Sequence, residues 1–190
     1  MAREITIKLY QFDELDRTAK ENARSWWRKN CDFDTDFILD NIKQCASILG
    51  ILMDANHLSP ITYQLGCQGA FAAINGSYSY AKGSRLVIRE HAPQDIELHK
   101  IADRLMTIQR RNFYRASARL TSGWCCNSQQ VTVYDIADAD EPYLVNALQD
   151  FAGWIESWLT TEYEYQYSDE YTDDAIRINE YEFTETGKRV

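Results

Sequence analysis

An α+β fold is predicted for this chain: a mixed or antiparallel sheet, with helices packed mainly on one face, forming a single domain over residues 1–190. Two observations predict it. Some stretches alternate apolar and polar residues, which is the period of a half-buried strand, while others step by three and four, which is the period of an amphipathic helix. The elements then follow the order β, α, α, β, β, β, α, β, β, α, α, β, with no repeat and no linker long enough to split domains, and such an order is satisfied by one layered core.

In Ile5, Ile7 and Leu9 the apolar residues alternate with Thr6, Lys8 and Tyr10, predicting a first strand. Asp13 or Asp16 can cap a following helix with Ala19, Ala23 and Trp26 or Trp27 on one side. Ile38, Ile42, Cys45, Leu49 and Leu52 form one stripe of a second helix, capped by Asp36 and ending near Gly50. Ile61, Tyr63 and Leu65 begin a strand pair that turns through Gly66-Cys67-Gln68-Gly69 and returns from Phe71 to Tyr80. Lys82-Gly83-Ser84 is a turn into a short strand, Arg85 to Arg89. Pro93 marks a helix start, with Asp95 and Glu97 in its first turn and Leu98, Ile101, Leu105 and Ile108 as its stripe.

From Tyr114 to Thr121 a strand turns Tyr114, Ala116, Ala118 and Leu120 to one side and Arg115, Ser117, Arg119 and Thr121 to the other. Gly123 to Gln129 is a polar turn, and Val131 and Val133 carry the returning strand. The longest helix starts at Asp140 and Pro142 and buries Leu144, Leu148, Phe151, Ile155 and Trp158 or Leu159. Its tail, Glu162 to Tyr167, alternates acid and aromatic and fits either helix or strand. A short helix follows from Asp169, and Asn179 to Thr184 closes the chain as a strand.

Composition limits what such a fold can do. The 190 residues include 45% hydrophobic and 13% aromatic side chains, enough to bury a core and too many for a disordered chain. No apolar run reaches the roughly 18 residues of a membrane helix. The opening Met-Ala-Arg-Glu-Ile-Thr has no apolar signal region, so a cytosolic location is expected. Five cysteines, at 31, 45, 67, 125 and 126, are odd in number and lack C-x-x-C spacing, which suits free thiols in a reducing compartment.

The usual catalytic patterns are missing. Asp32, Asp34 and Asp36 imitate the start of a calcium loop, but its sixth position is Phe37 rather than Gly and its twelfth is Lys43 rather than Glu. The three histidines, His57, His91 and His99, give no metal-ligand spacing. A Cys67–His57 pair has no third group to orient it, and Cys67 reads as structural. No Walker, G-x-S-x-G or G-x-G-x-x-G pattern occurs. The expectation is a binding protein, not an enzyme, with no cofactor and no metal.

Charge supplies the candidate binding residues. The formal net charge of −9 divides into +3 over Met1 to Tyr134 and −12 over Asp135 to Val190. Glu156, Glu162, Glu164, Asp169, Glu170, Asp173 and Asp174 are seven acids in nineteen residues without a Lys or Arg. Carboxylates along a helix can approach the charge spacing of a phosphate backbone, and the interleaved Tyr163, Tyr165 and Tyr167 are interface-favoured aromatics. This set predicts a protein partner with a basic surface. Arg104, Arg110, Arg111, Arg115 and Arg119 form an opposing basic strip that either binds phosphate directly or pairs with the chain's own acids.

Three stretches resemble a family of small proteins encoded in phages and prophages. They are Leu9 to Leu15 running on to Trp26-Trp27, then Glu90 to Ala118 with His91-Ala92-Pro93 and Asn112-Phe113-Tyr114, and the ending Asn179 to Arg189. Such proteins are commonly labelled "antitoxin of toxin–antitoxin stability system". Relatives often carry an acid in an aromatic, Gly-rich stretch where this chain has Gly66-Cys67-Gln68-Gly69-Ala70, so no site is carried over there. The resemblance implies a mobile-element accessory protein in the cytosol of a bacterial host. The leading expectation is an anti-CRISPR-like inhibitor whose acidic surface occupies the nucleic-acid channel of a defence nuclease. The alternatives are an antitoxin-like partner of a toxin, and a direct nucleic-acid binder that uses the basic strip.

Overall fold

A computed structural model describes residues 7–54, 59–66, 70–123 and 128–190. The fold is α+β, and every sheet is antiparallel. The chain divides into two compact units: Met1–Asp34 with Thr161–Val190 (unit 1), and Thr35–Thr160 (unit 2). Cys67, Cys125, Cys126, His57 and the turn 67–69 lie outside the described residues, as does Ile5. No helix among the described residues is long and apolar enough to cross a membrane.

Unit 1 is built from both ends of the chain. Strand β1 (Tyr10–Gln11) leads through a 3-10 turn (Phe12–Glu14) into α1 (Arg17–Asn30), whose N-cap Asp16 accepts from Ala19 N at 2.7 Å. From the other end come the last residues of α5 (Glu141–Gln166), then α6 (Asp169–Ile178) and β8 (Glu182–Phe183). Tyr10 pairs with Phe183 and Gln11 with Glu182. Phe12, Leu15, Ala19, Ala23, Trp27, Ile176 and Phe183 share the core. The first and last strands are thus shorter among the described residues than their sequence patterns suggest, and Ile7 and Leu9, which precede β1, are exposed.

In unit 2 the sheet runs β2 (Ile51–Met53), β5 (Gly76–Tyr78), β6 (Ser117–Ser122), β7 (Gln129–Tyr134), in that order. One face carries Ile51, Tyr78, Ala118 and Leu120. These share a core with Ile42 and Leu49 of α2 (Asp36–Leu49), Ile88 of α3 (Ser84–His91), Leu98, Ile101 and Leu105 of α4 (Ile96–Arg111), and Leu144, Leu148, Phe151 and Ile155 of α5. Leu52, Ser77, Arg119 and Thr132 line up across the four strands on the opposite, exposed side. A second pair, β3 (Ile61–Gln64) with β4 (Phe71–Ile74), matches the predicted hairpin strands.

Several elements differ from the sequence reading. Arg85 to Arg89 is helix, not strand. Arg85 Nε (2.5 Å) and Arg89 Nη2 (2.8 Å) both reach Asp103, which two residues four apart do on one helix face; in a strand they would stand about 13 Å apart. Burial opposes the ionisation of Asp103, but hydrogen bonds from these two guanidiniums outweigh it and hold its carboxyl below the ordinary value. Leu52 does not extend the α2 stripe: Gly50 takes the left-handed conformation (φ 85°) and ends the helix, so Leu52 falls on β2, 60% exposed. Asp36 is the first residue of α2 rather than its cap, which is Thr35.

Phe71 to Tyr80 is two strands of different sheets, broken at buried Asn75, whose Oδ1 accepts from Ser122 N at 3.0 Å. Pro93 sits in the turn before α4, which is capped by Asp95 accepting from Leu98 N at 2.9 Å. The tail 162–167 is helical through Gln166. There Tyr163 and Tyr167 stack at 4.5 Å, a contact that spacing of four on a helix provides.

Candidate binding surfaces

The acidic set divides by what its carboxylates meet. Arg24 of α1 donates through Nε and Nη2 to the two oxygens of Asp173 at 2.7 and 2.8 Å, a bidentate pair that raises the guanidinium pKa. Arg28 pairs with Asp169 and donates Nε to Tyr167 O at 3.0 Å. Arg177 bridges Asp174 and Asp13, each at 3.0 Å. Glu162 accepts from Gln166 Nε2 at 2.8 Å, and buried Gln166 also holds the Asp34 backbone. Glu156, Glu164 and Glu170 have no ion pair among the described residues. Glu162 and Glu164 lie about 240° and 80° round the helix from Glu156, so these acids form no single stripe.

The aromatic set is drawn into packing in the same way. Tyr163 meets Phe33 edge-on at 5.5 Å, Tyr167 meets Trp27 at 6.4 Å, and Tyr171 meets Trp27 at 5.8 Å. Of the three tyrosines expected as contact anchors, Tyr165 alone is exposed, at 54%.

These ion pairs make unit 1 sensitive to acid. Hydrogen bonds from Arg28 and Arg177 hold Asp169 and Asp13 below the ordinary Asp value of 3.8. A carboxyl whose folded pKa is lowered contributes stability that is whole above the unfolded value and lost as pH falls through the folded one. Both groups are largely exposed, so each effect is small. Thermal unfolding followed between pH 5 and 2.5 is expected to show a melting temperature that falls with pH, and Arg28→Ala with Arg177→Ala to flatten the fall. An unchanged slope in that double variant would contradict the assignment.

The basic strip lies wholly in unit 2 and is less neutralised. Arg104 pairs with Asp150, both side chains about half exposed, an ion pair of the kind worth little in water, while Arg111 pairs with largely buried Asp140 at 3.2 Å and Arg119 holds both oxygens of Asp54. Arg110 and Arg115 are exposed and have no ion pair among the described residues. Between them the chain turns from α4 to β6 through Asn112, Phe113 and Tyr114. Phe113 (φ 52°) and Tyr114 (φ 60°) both adopt the left-handed backbone that side chains rarely accept. Phe113 is 82% exposed, and Tyr114 packs on Tyr80 at 4.6 Å.

Buried amides hold this corner. Asn112 Nδ2 donates to Ile108 O and Asp140 Oδ2, each at 2.9 Å, while its Oδ1 accepts from Ala137 N at 2.9 Å. Gln109 Nε2 donates to Ala116 O at 2.7 Å and to the Tyr78 hydroxyl at 3.2 Å, and burial pushes that phenol up to about 12. Tyr114 N donates to Gln109 O at 2.7 Å. The two strained residues are thereby fixed from below, with the Phe113 ring in solvent. A cleft of about 450 Å³ adjoins the corner, lined by Asp103, Arg104, Thr107, Ile108, Arg111, Tyr143 and Asn146.

Charge along the sequence points to the five arginines but not to Phe113, Tyr114, Gln109 or Asn112. The available signal was the pattern Arg110-Arg111-Asn112-Phe113-Tyr114-Arg115, two aromatics flanked by cations at a predicted helix end. Elsewhere, His91 contacts Asn41 Oδ1 at 3.0 Å and His99 contacts Ala92 O at 2.8 Å. Among the described residues no group of three His, Cys, Asp or Glu is arranged to hold a metal ion.

A family described as a domain of unknown function (DUF8835) matches residues 35–169, beginning at the first residue of unit 2 and running just past its last. No curated protein and no solved structure matches the chain.

Proposed function

The chain belongs to the DUF8835 family through residues 35–169, and we propose that it is a non-enzymatic binding protein that takes nucleic acid on the basic, aromatic corner of that family domain. One observation carries the reading: Arg110 and Arg115, exposed and without an ion pair among the described residues, flank an exposed aromatic pair on a buried, hydrogen-bonded base. Phosphate contacts supply most non-specific affinity for nucleic acid.

The test is fluorescence anisotropy of a labelled twelve-nucleotide strand and of its duplex at 20 to 200 mM salt. Binding is expected to weaken linearly on a log–log plot, with a slope for the single strand of about −1.4 if two arginines engage phosphate and about −3.5 if all five do. Arg110→Glu with Arg115→Glu is expected to cost roughly tenfold or more at low salt. Absence of binding at 20 mM salt, or a double variant that binds like the parent, overturns the reading.

The inhibitor reading draws on different residues. Unit 1 holds 16 acidic and 10 basic side chains, and Glu164, Tyr165 and Glu170 are exposed on it. Its support is weaker because Asp169, Asp173 and Asp174 are already paired with Arg24, Arg28 and Arg177. The same acidic side would serve a phage-borne blocker of a defence nuclease or a partner of a basic toxin. A chain that ignores the oligonucleotide but competes with it for a basic nuclease follows this second reading.

A further inference from the structure

Nucleic-acid binding through cations alone favours the duplex, whose phosphates are denser. The corner between α4 and β6 carries a feature that a duplex does not use. Phe113 presents its ring to solvent in a backbone conformation that a residue in a simple turn avoids, and Asn112, Gln109 and Asp140 hold the backbone around it. An exposed aromatic, flanked in the chain by two exposed arginines that have no ion pair among the described residues, is matched by a ligand that joins a flat ring to a negative charge at each repeat.

The sheet beside it extends the same chemistry. Ser117 and Tyr134 are a pair on the exposed side of β6 and β7, Arg119 and Thr132 are the next pair along it, and Tyr134 is half exposed. A strand leaving Phe113 past Arg115 therefore meets a hydroxyl, a second aromatic and another guanidinium in turn. Resting on the nucleic-acid reading above, we infer that the ligand is a single strand, with one unpaired base stacked on Phe113 and its flanking phosphates held by Arg110 and Arg115.

The closing experiment separates this inference from the reading beneath it. Labelled dT12, rU12 and a 12-base-pair duplex are titrated with the parent protein, Phe113→Leu, Phe113→Trp and the Arg110→Glu, Arg115→Glu double variant. Phe113 is exposed, so its replacement leaves the core untouched, and circular dichroism checks that. The parent is expected to bind dT12, rU12 or both more tightly than the duplex. Phe113→Leu is expected to weaken single-strand binding by roughly 5- to 150-fold, the loss of one stacked base. Its duplex binding falls by less than its single-strand binding, and Phe113→Trp restores the single-strand affinity. If Phe113→Leu binds every strand like the parent while the arginine variant fails, stacking is overturned and the nucleic-acid reading stands. If the duplex is preferred, the single-strand inference falls alone. If the parent binds none of the three at 20 mM salt, both fall.

Discussion

Phe183→Ala is expected to destabilise unit 1 by about 3–5 kcal/mol, the usual range for removing a buried phenyl ring. Phe183 is fully buried on β8, pairs with Tyr10 of β1, and lies edge-on to Trp26 at 5.9 Å. It belongs to a core of seven buried apolar residues drawn from both ends of the chain, with Ala19, Ala23 and Trp27 supplied by α1. A core that small has little with which to refill the space, so most of the cavity persists. Hydrogen exchange is the direct measurement: amides of α1 and α6 are expected to lose protection strongly. Phe183→Leu is expected to recover part of it. Protection in the alanine variant within 1 kcal/mol of the parent would contradict this account of the core.

Gln129→Ala is expected to cost about 2–6 kcal/mol in unit 2, because two buried peptide groups lose their partner at once. The side chain of Gln129 behaves as a borrowed peptide unit. Its Oε1 accepts from Ile74 N at 2.6 Å and its Nε2 donates to Ile74 O at 3.1 Å, joining β4 to β7 without a strand pairing. The same Nε2 reaches Thr121 O and Gln130 O. Alanine leaves the N–H and the C=O of Ile74 buried and unpaired, and each orphan costs about 1–3 kcal/mol. Denaturant unfolding reads the total. A loss below 1 kcal/mol would mean that the peptide groups of Ile74 find other partners.

The parts of the fold legible in the sequence were those that repeat a period long enough to be unambiguous. The stripes of α4 and α5, and the division of Ala116, Ala118 and Leu120 from Arg115, Ser117 and Arg119, are as the alternation implied. Tyr114, which the same alternation put with the alanines, instead precedes β6 (Ser117–Ser122) in a left-handed conformation and is 47% exposed. Short apolar runs were not legible. Leu86-Val87-Ile88 fits a strand or one helical turn, and the choice is made by Asp103 of α4, which gathers Arg85 and Arg89. β2 was invisible because three residues after a helix carry no period of their own.

Charge behaved differently from periodicity. A count along the chain treats Asp169 and Asp173 as part of an unopposed acidic run, yet their partners, Arg24 and Arg28, stand about 140 to 150 residues earlier. Nothing local announces a pairing of that range. The basic strip escaped the same fate only in part, since Asp54, Asp140 and Asp150 each take one of its arginines and leave Arg110 and Arg115. The strained aromatics were illegible for another reason: a left-handed backbone at Phe113 and Tyr114 is imposed by buried amides around it, and neither residue type advertises it.

The pairing of Tyr10 with Phe183 fixes when unit 1 can form. During synthesis α1 emerges early with Ala19, Ala23 and Trp27 on its apolar side, and the residues that cover them lie about 150 positions downstream. At roughly 5–20 residues per second, that interval lasts about 8–30 s. For that time an amphipathic helix with two tryptophans lacks the residues that cover it, while every core residue of Thr35–Thr160 is made before α6 and β8. Closure of β8 on β1 is the event that completes the cover of that helix.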